Sequence, residues 1–94
     1  MKKINLAVTG CMGRMGRQII KSAKLDKNFK LVSLTEGKKI NKKISGIRIE
    51  LNTEKAFKNS NLIIDFSTPK CTFQVLKIAS KLKKRVVIGT TGFT

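Results

Sequence analysis

An apolar run, Ile4 to Thr9, leads into Gly10-Cys11-Met12-Gly13-Arg14-Met15-Gly16, after which apolar residues recur every fourth position. This order of strand, glycine turn and helix constrains the fold more than any other feature of the chain. Glycines at every third position permit a tight turn, then a close approach of backbone N–H groups to a diphosphate, then close packing of a helix on a sheet. The spacing is Gly-x-x-Gly-x-x-Gly, not the commoner Gly-x-Gly-x-x-Gly, so alone it is a weak signal. The rest of the chain must decide.

Met15, Ile19 and Ala23, with Gly16 and Ile20, predict an amphipathic helix from Gly13 to Leu25 whose apolar side packs on a sheet. Phe29 to Thr35 reads as a second strand with Glu36 at its carboxyl end, and the polar stretch Gly37 to Ser45 as a surface loop. Ile47 and Ile49 suggest a short extended piece, and Asn52 or Thr53 a cap for a short helix through Phe57. Leu62 to Phe66 is apolar on both faces, as a buried parallel strand should be. Thr68 is a candidate N-cap, and Pro69 stands at the first helical position, where a missing N–H costs nothing. The helix that follows is expected to turn Phe73, Leu76 and Ala79, with Val75, Ile78 and Leu82, inward; Val86-Val87-Ile88 then forms another buried strand. Gly89-Thr90-Thr91-Gly92 is the loop at its carboxyl end. Strands alternating with helices imply an α/β class: a Rossmann-like parallel sheet with helices on both faces. Four or five strands are expected where a doubly wound domain has about six, so the sheet is expected to be incomplete at the carboxyl end.

A chain of 94 residues is one domain and buries only about 60–65% of its unfolded surface. No stretch approaches the roughly 20 apolar residues of a membrane span. Met1-Lys2-Lys3 before an apolar run ending near Cys11 superficially resembles a lipoprotein signal, but the run is shorter than the roughly 7–15 residues such a core needs. A cytoplasmic location is expected, with Cys11 and Cys71 as free thiols. The chain holds no histidine, and no metal site is expected. Its charge is strongly basic, 21 Lys+Arg against 5 Asp+Glu for a formal +16. That favours non-specific attraction to polyanions. The lysines, however, are dispersed over helix faces and loops, and without Tyr or Trp there is no evident platform for stacking bases.

Several features point at one kind of ligand. The glycine turn and the helix start offer N–H donors to a diphosphate. Glu36 lies 20 residues beyond Gly16, where a carboxylate typically accepts from the adenosine ribose hydroxyls. Lys38 and Lys39 suit a 2′-phosphate, so both NADH and NADPH are permitted. Arg14 opposes the helix dipole by a few tenths of a kcal/mol, which a bound diphosphate would offset.

Ile64-Asp65-Phe66-Ser67-Thr68-Pro69 and Val87-Ile88-Gly89-Thr90-Thr91-Gly92-Phe93 are far more specific than the glycines. Together with the turn, and in that order, they resemble the amino-terminal half of the 4-hydroxy-tetrahydrodipicolinate (dihydrodipicolinate) reductases. The resemblance covers essentially the whole chain. It implies a nicotinamide-dependent reductase of the diaminopimelate route to lysine, reducing 4-hydroxy-tetrahydrodipicolinate to tetrahydrodipicolinate. By that resemblance the cofactor is held by Gly10, Cys11, Met12, Gly13, Arg14, Met15, Glu36, Gly89, Thr90 and Thr91, and Phe66 lines the cleft. Many members carry Arg directly after the acid to meet a 2′-phosphate; Gly37 stands there in this chain.

The family completes its active site with a second domain that carries a His-His-x-x-Lys-x-Asp signature and a Ser-Gly-Thr loop, and through which it forms homotetramers. None of these residues is in the sequence. Residues 1–94 are therefore read as a partial dinucleotide-binding domain, at best marginally stable alone, with an exposed apolar sheet edge and no reductase activity. A non-catalytic nucleotide-binding module and a basic nucleic-acid-associated protein are the alternatives.

Overall fold

The structure, a computed structural model, describes residues 3–89. In chain order it contains β1 (Ile4–Thr9), α1 (Arg14–Leu25), β2 (Phe29–Glu36), β3 (Lys43–Ile44), β4 (Ile47–Leu51), α2 (Glu54–Phe57), β5 (Leu62–Asp65), α3 (Pro69–Leu82) and β6 (Arg85–Ile88). The strands make one sheet in the order β3-β4-β2-β1-β5-β6. Every pairing is parallel except β3 with β4. This is the expected Rossmann-like architecture, with helices on both faces. Among the described residues no helix is long and apolar enough to cross a membrane.

Two cores flank the central strand, because alternate residues of β1 point to opposite faces. Leu6 and Val8 join Leu34, Ile49 and the α1 residues Ile20 and Ala23. Ala7 joins Ile63, Phe57 of α2, and Val75 and Ala79 of α3 on the other side. Residues that read as continuous apolar runs are thus covered twice.

Local chemistry fixes the helix ends. Ala56 N–H donates to Thr53 Oγ1 at 3.2 Å and Cys71 N–H to Thr68 Oγ1 at 3.3 Å, so both threonines cap as expected. Such a cap contributes about 1 kcal/mol. Pro69 occupies the first turn of α3, and Lys83 ends that helix in the left-handed region, φ 56°. Its N–H reaches Ser80 O, while Lys84 N–H donates to Ala79 O at 2.8 Å.

The structure corrects four expectations. The stretch Gly37 to Ser45 is not wholly loop: Lys43–Ile44 pairs antiparallel with β4 through Ser45 and Gly46, both at positive φ (53° and 80°). Two such residues make the two-residue turn that suits the twist of a hairpin. Among the described residues the sheet therefore has six strands, not four or five. Met15, Phe73 and Leu76 do not face the core; they are 46%, 64% and 37% exposed. The buried stripes are Gly16-Ile20-Ala23 and Thr72-Val75-Ala79, and Phe73 and Leu76 lie one residue, about 100° of rotation, beyond theirs. Nor is β6 buried. Only Val86 packs on the α3 side, whereas Val87 pairs beside Ile64 on the opposite face and is 54% exposed.

Candidate functional site

The parallel strands end together, and the chain leaves β1 for β2 on one side while β5 flanks it on the other. In open α/β sheets ligands bind at such a switch point, outside the carboxyl ends of the strands. A cleft of about 400 Å³ lies there, lined by residues that include Gly10, Glu36, Gly37, Lys38, Phe66 and Cys71.

The glycine turn is held by its own N–H groups. Gly10 and Cys11 N–H both donate to Thr35 O (3.0 and 3.3 Å), Met12 N–H to Glu36 Oε2 (2.7 Å), and Gly13 N–H to Gly10 O (3.0 Å). These four donors are therefore spent on shape. Arg17 N–H makes the first helical bond, to Gly13 O. The N–H groups of Arg14, Met15 and Gly16 precede any intrahelical acceptor. No side chain caps α1 and no acid stands in its first turn. Arg14 and Met15 are exposed at the positive end of the helix dipole, beside the cleft-lining Gly13 but not among the residues that line the cleft.

Two of the three glycines are sterically required. Gly10 has φ +66°, and a Cβ there would collide with the Phe66 carbonyl oxygen. A Cβ on Gly16 would collide with Gly10 O and come within 2.9 Å of Cys11 Cα. At Gly13 it would meet only Gly10 O, at 3.4 Å.

Asp65, whose role sequence reasoning missed, organises the far wall. It is fully buried and accepts from Thr9 Oγ1, Thr72 Oγ1 and, at 2.5 Å, Ser67 Oγ. Its backbone carbonyl accepts from Gly89 N–H at 2.8 Å. One carboxylate thus ties the end of β1, the β5–α3 loop and the first turn of α3. An acid inside an otherwise apolar strand was the available signal, because a buried charge needs donors. Phe66 is half-buried, lines the cleft and leaves no room for a Cβ on Gly89.

Of the residues predicted for the site, Gly10, Gly13 and Glu36 line the cleft directly. Cys11 is buried behind the turn and Met12 half-buried. Gly89 sits at the end of β6, while Thr90 and Thr91 lie outside the described residues. Lys38 lines the cleft; Lys39 is exposed outside it. Both cysteines are free thiols.

Burial, and secondarily the Glu36 charge, push the Cys11 thiol up from 9.0 to about 11. Between those values the unfolded chain releases this proton while the folded chain retains it. Stability is therefore expected to fall as pH rises from 9 to 11, by on the order of 2 kcal/mol. Denaturant midpoints across that window check this, and Cys11→Ala should flatten the slope.

Fold and cleft together define a Rossmann-like nucleotide-binding fold. Residues 4–94 match the family described as "Dihydrodipicolinate reductase, N-terminus", and the chain belongs to that family. A 4-hydroxy-tetrahydrodipicolinate reductase of Pelagibacter ubique is 68% identical over 99% of this chain and 36% of its own length. The Buchnera aphidicola enzyme from Acyrthosiphon pisum is 38% identical over 99% and 39% respectively. The chain thus spans between a third and two-fifths of these curated relatives. Among solved structures, a dipicolinate-bound dihydrodipicolinate reductase from Paenisporosarcina sp. TG-14 superposes with a TM-score of 0.82 at 26% identity, covering 98% of this chain and 39% of that one. An aspartate semialdehyde dehydrogenase II from Vibrio cholerae shares the fold, with TM-score 0.77 and 14% identity over 96% of this chain and 29% of its own.

Proposed function

We propose that these residues are the cofactor half of a 4-hydroxy-tetrahydrodipicolinate reductase, which reduces its substrate to tetrahydrodipicolinate with NADH or NADPH in the diaminopimelate route to lysine. The observation that carries the reading is the division of labour in the glycine turn. Four N–H groups shape it, leaving the Arg14 and Met15 amides for a diphosphate and the Glu36 Oε1 oxygen for a ribose hydroxyl. Gly13, which precedes the start of α1, and Glu36 both line one cleft, and that arrangement fits a dinucleotide.

A bound reduced nicotinamide would supply the hydride. The chain's own residues position it: Arg14 adds charge beside the diphosphate, and Phe66 packs under Gly89, leading to Thr90 and Thr91. Protonation needs an acid and a substrate-binding group, and with no histidine in the sequence the family's general acid would lie outside these residues. Hydride transfer requires both reactants held at near-attack distance. The 94 residues alone are therefore expected to bind one dinucleotide without oxidising it in the presence of substrate. Titration with reduced dinucleotide, followed by an absorbance assay, tests this; turnover by the chain alone, or no binding, overturns it.

A further inference from the structure

A row of buried polar side chains crosses the carboxyl ends of the strands. Thr35 pairs with Thr9, and Thr9 with Asp65, so the three share the sheet face that carries α3. One half of the row is satisfied, because Asp65 accepts from Thr9 Oγ1 and Thr72 Oγ1. The other half is not. Thr35 is 0% and Asn52 6% exposed, yet Thr35 Oγ1 and both Asn52 side-chain atoms, Oδ1 and Nδ2, have no hydrogen-bond partner among the described residues. Ser33 Oγ, also unpartnered, lies two residues further from the cleft. Buried polar side-chain atoms are in large majority partnered, so an orphaned amide marks a place that a group from outside the chain can complete. Both residues flank the cleft at Gly37. Thr35 precedes it by two positions, and Asn52 follows Leu51, the β4 partner of Glu36, so that it stands beside Gly37 at the strand ends. A Cβ on Gly37 would lie 2.5 Å from Cys71 Sγ, so the thiol covers this point. Gly37 and Cys71 both line the cleft.

Taking the dinucleotide reading as its basis, we infer that Thr35 and Asn52 form the floor of a recess covered by Cys71, and that the Asn52 carboxamide reads the 6-amino edge of an adenine. Rotation about the Cys71 Cα–Cβ bond, between staggered positions, opens the recess to the cleft. A carboxamide presents an acceptor and a donor side by side. These match the N6 donor and N7 acceptor of adenine as a bidentate pair. A purine with an oxygen at position 6 offers two acceptors along that edge, and the amide then satisfies only one of them. The base supplies the partners that the fold withholds from Asn52.

Parallel titrations of the 94-residue chain with NADH and with its hypoxanthine analogue, in which an oxygen replaces the 6-amino group, test the inference. The unaltered chain is expected to bind NADH about tenfold more tightly, the scale of one bidentate base contact. Asn52→Leu, close in shape, should weaken NADH about tenfold and leave the analogue within about threefold, which brings the ratio near one. Damage to the fold would instead weaken both dinucleotides alike and keep the ratio. Because the atoms removed have no partner in the chain, the melting temperature of the variant should hold or rise. Equal binding of the two dinucleotides by the unaltered chain, or a ratio that Asn52→Leu leaves unchanged whatever its melting temperature, overturns the inference but leaves the dinucleotide reading standing. Binding of neither dinucleotide overturns both.

Discussion

Gly10→Ala is expected to lower the melting temperature by about 10–25 °C and to abolish dinucleotide binding. A left-handed residue with a Cβ costs about 1–2 kcal/mol, and overpacking adds about 1–3 kcal/mol. The atom it meets is the Phe66 carbonyl, part of the backbone, so no side-chain rotation relieves the collision. The loss is large against the roughly 5–14 kcal/mol total stability of a chain this size. Gly13→Ala provides the contrast. Gly13 has φ −74°, and its added methyl meets one oxygen at ordinary van der Waals distance. A cost below about 1 kcal/mol is expected, the difference between glycine and alanine as an N-cap. Thermal melts of the two variants separate the glycine that sterics demand from the one that only shares its spacing.

Asp65→Ala is expected to cost on the order of 4 kcal/mol, read as a lower denaturant midpoint with unchanged slope. Thr9, Thr72 and Ser67 would lose their shared acceptor, and Thr9 and Thr72 are fully buried. Unsatisfied buried donors each cost about 1–3 kcal/mol. Asp65→Asn keeps one oxygen as acceptor but adds a donor where three hydroxyls already converge, so an intermediate loss is expected. A change below about 1 kcal/mol for Asp65→Ala would show that the carboxylate does not organise this wall.

What the sequence displayed was local. Thr53, Thr68 and Pro69 announce their helix starts through the chemistry of the first turn, and the apolar runs of β1 and β5 reflect burial on two faces. What it concealed depends on partners distant along the chain. Glu36 could be placed at a strand end and assigned to a ribose, but not fastened to Met12 N–H. The engagement of Gly10 and Cys11 N–H with Thr35 O likewise needs the register of β1 against β2. Lys43 and Ile44 were masked by polar neighbours, although Ser45-Gly46 between two isoleucines carries a hairpin signal. Phe73, Leu76 and Val87 are apolar without facing either core, because periodicity identifies a face but not what covers it.

The proposed function seats a dinucleotide at the carboxyl edge of the sheet, with its diphosphate at Arg14 and Met15. Amide-resolved NMR during the titration with reduced dinucleotide tests this seating most directly. The Arg14 and Met15 N–H resonances are predicted to shift most and to gain exchange protection, followed by residues Glu36 to Lys38. Asn61, Lys83 and Arg85, at the opposite end of the sheet, should stay unmoved. Shifts spread over the lysine-rich surface, or centred at that opposite end, would contradict it.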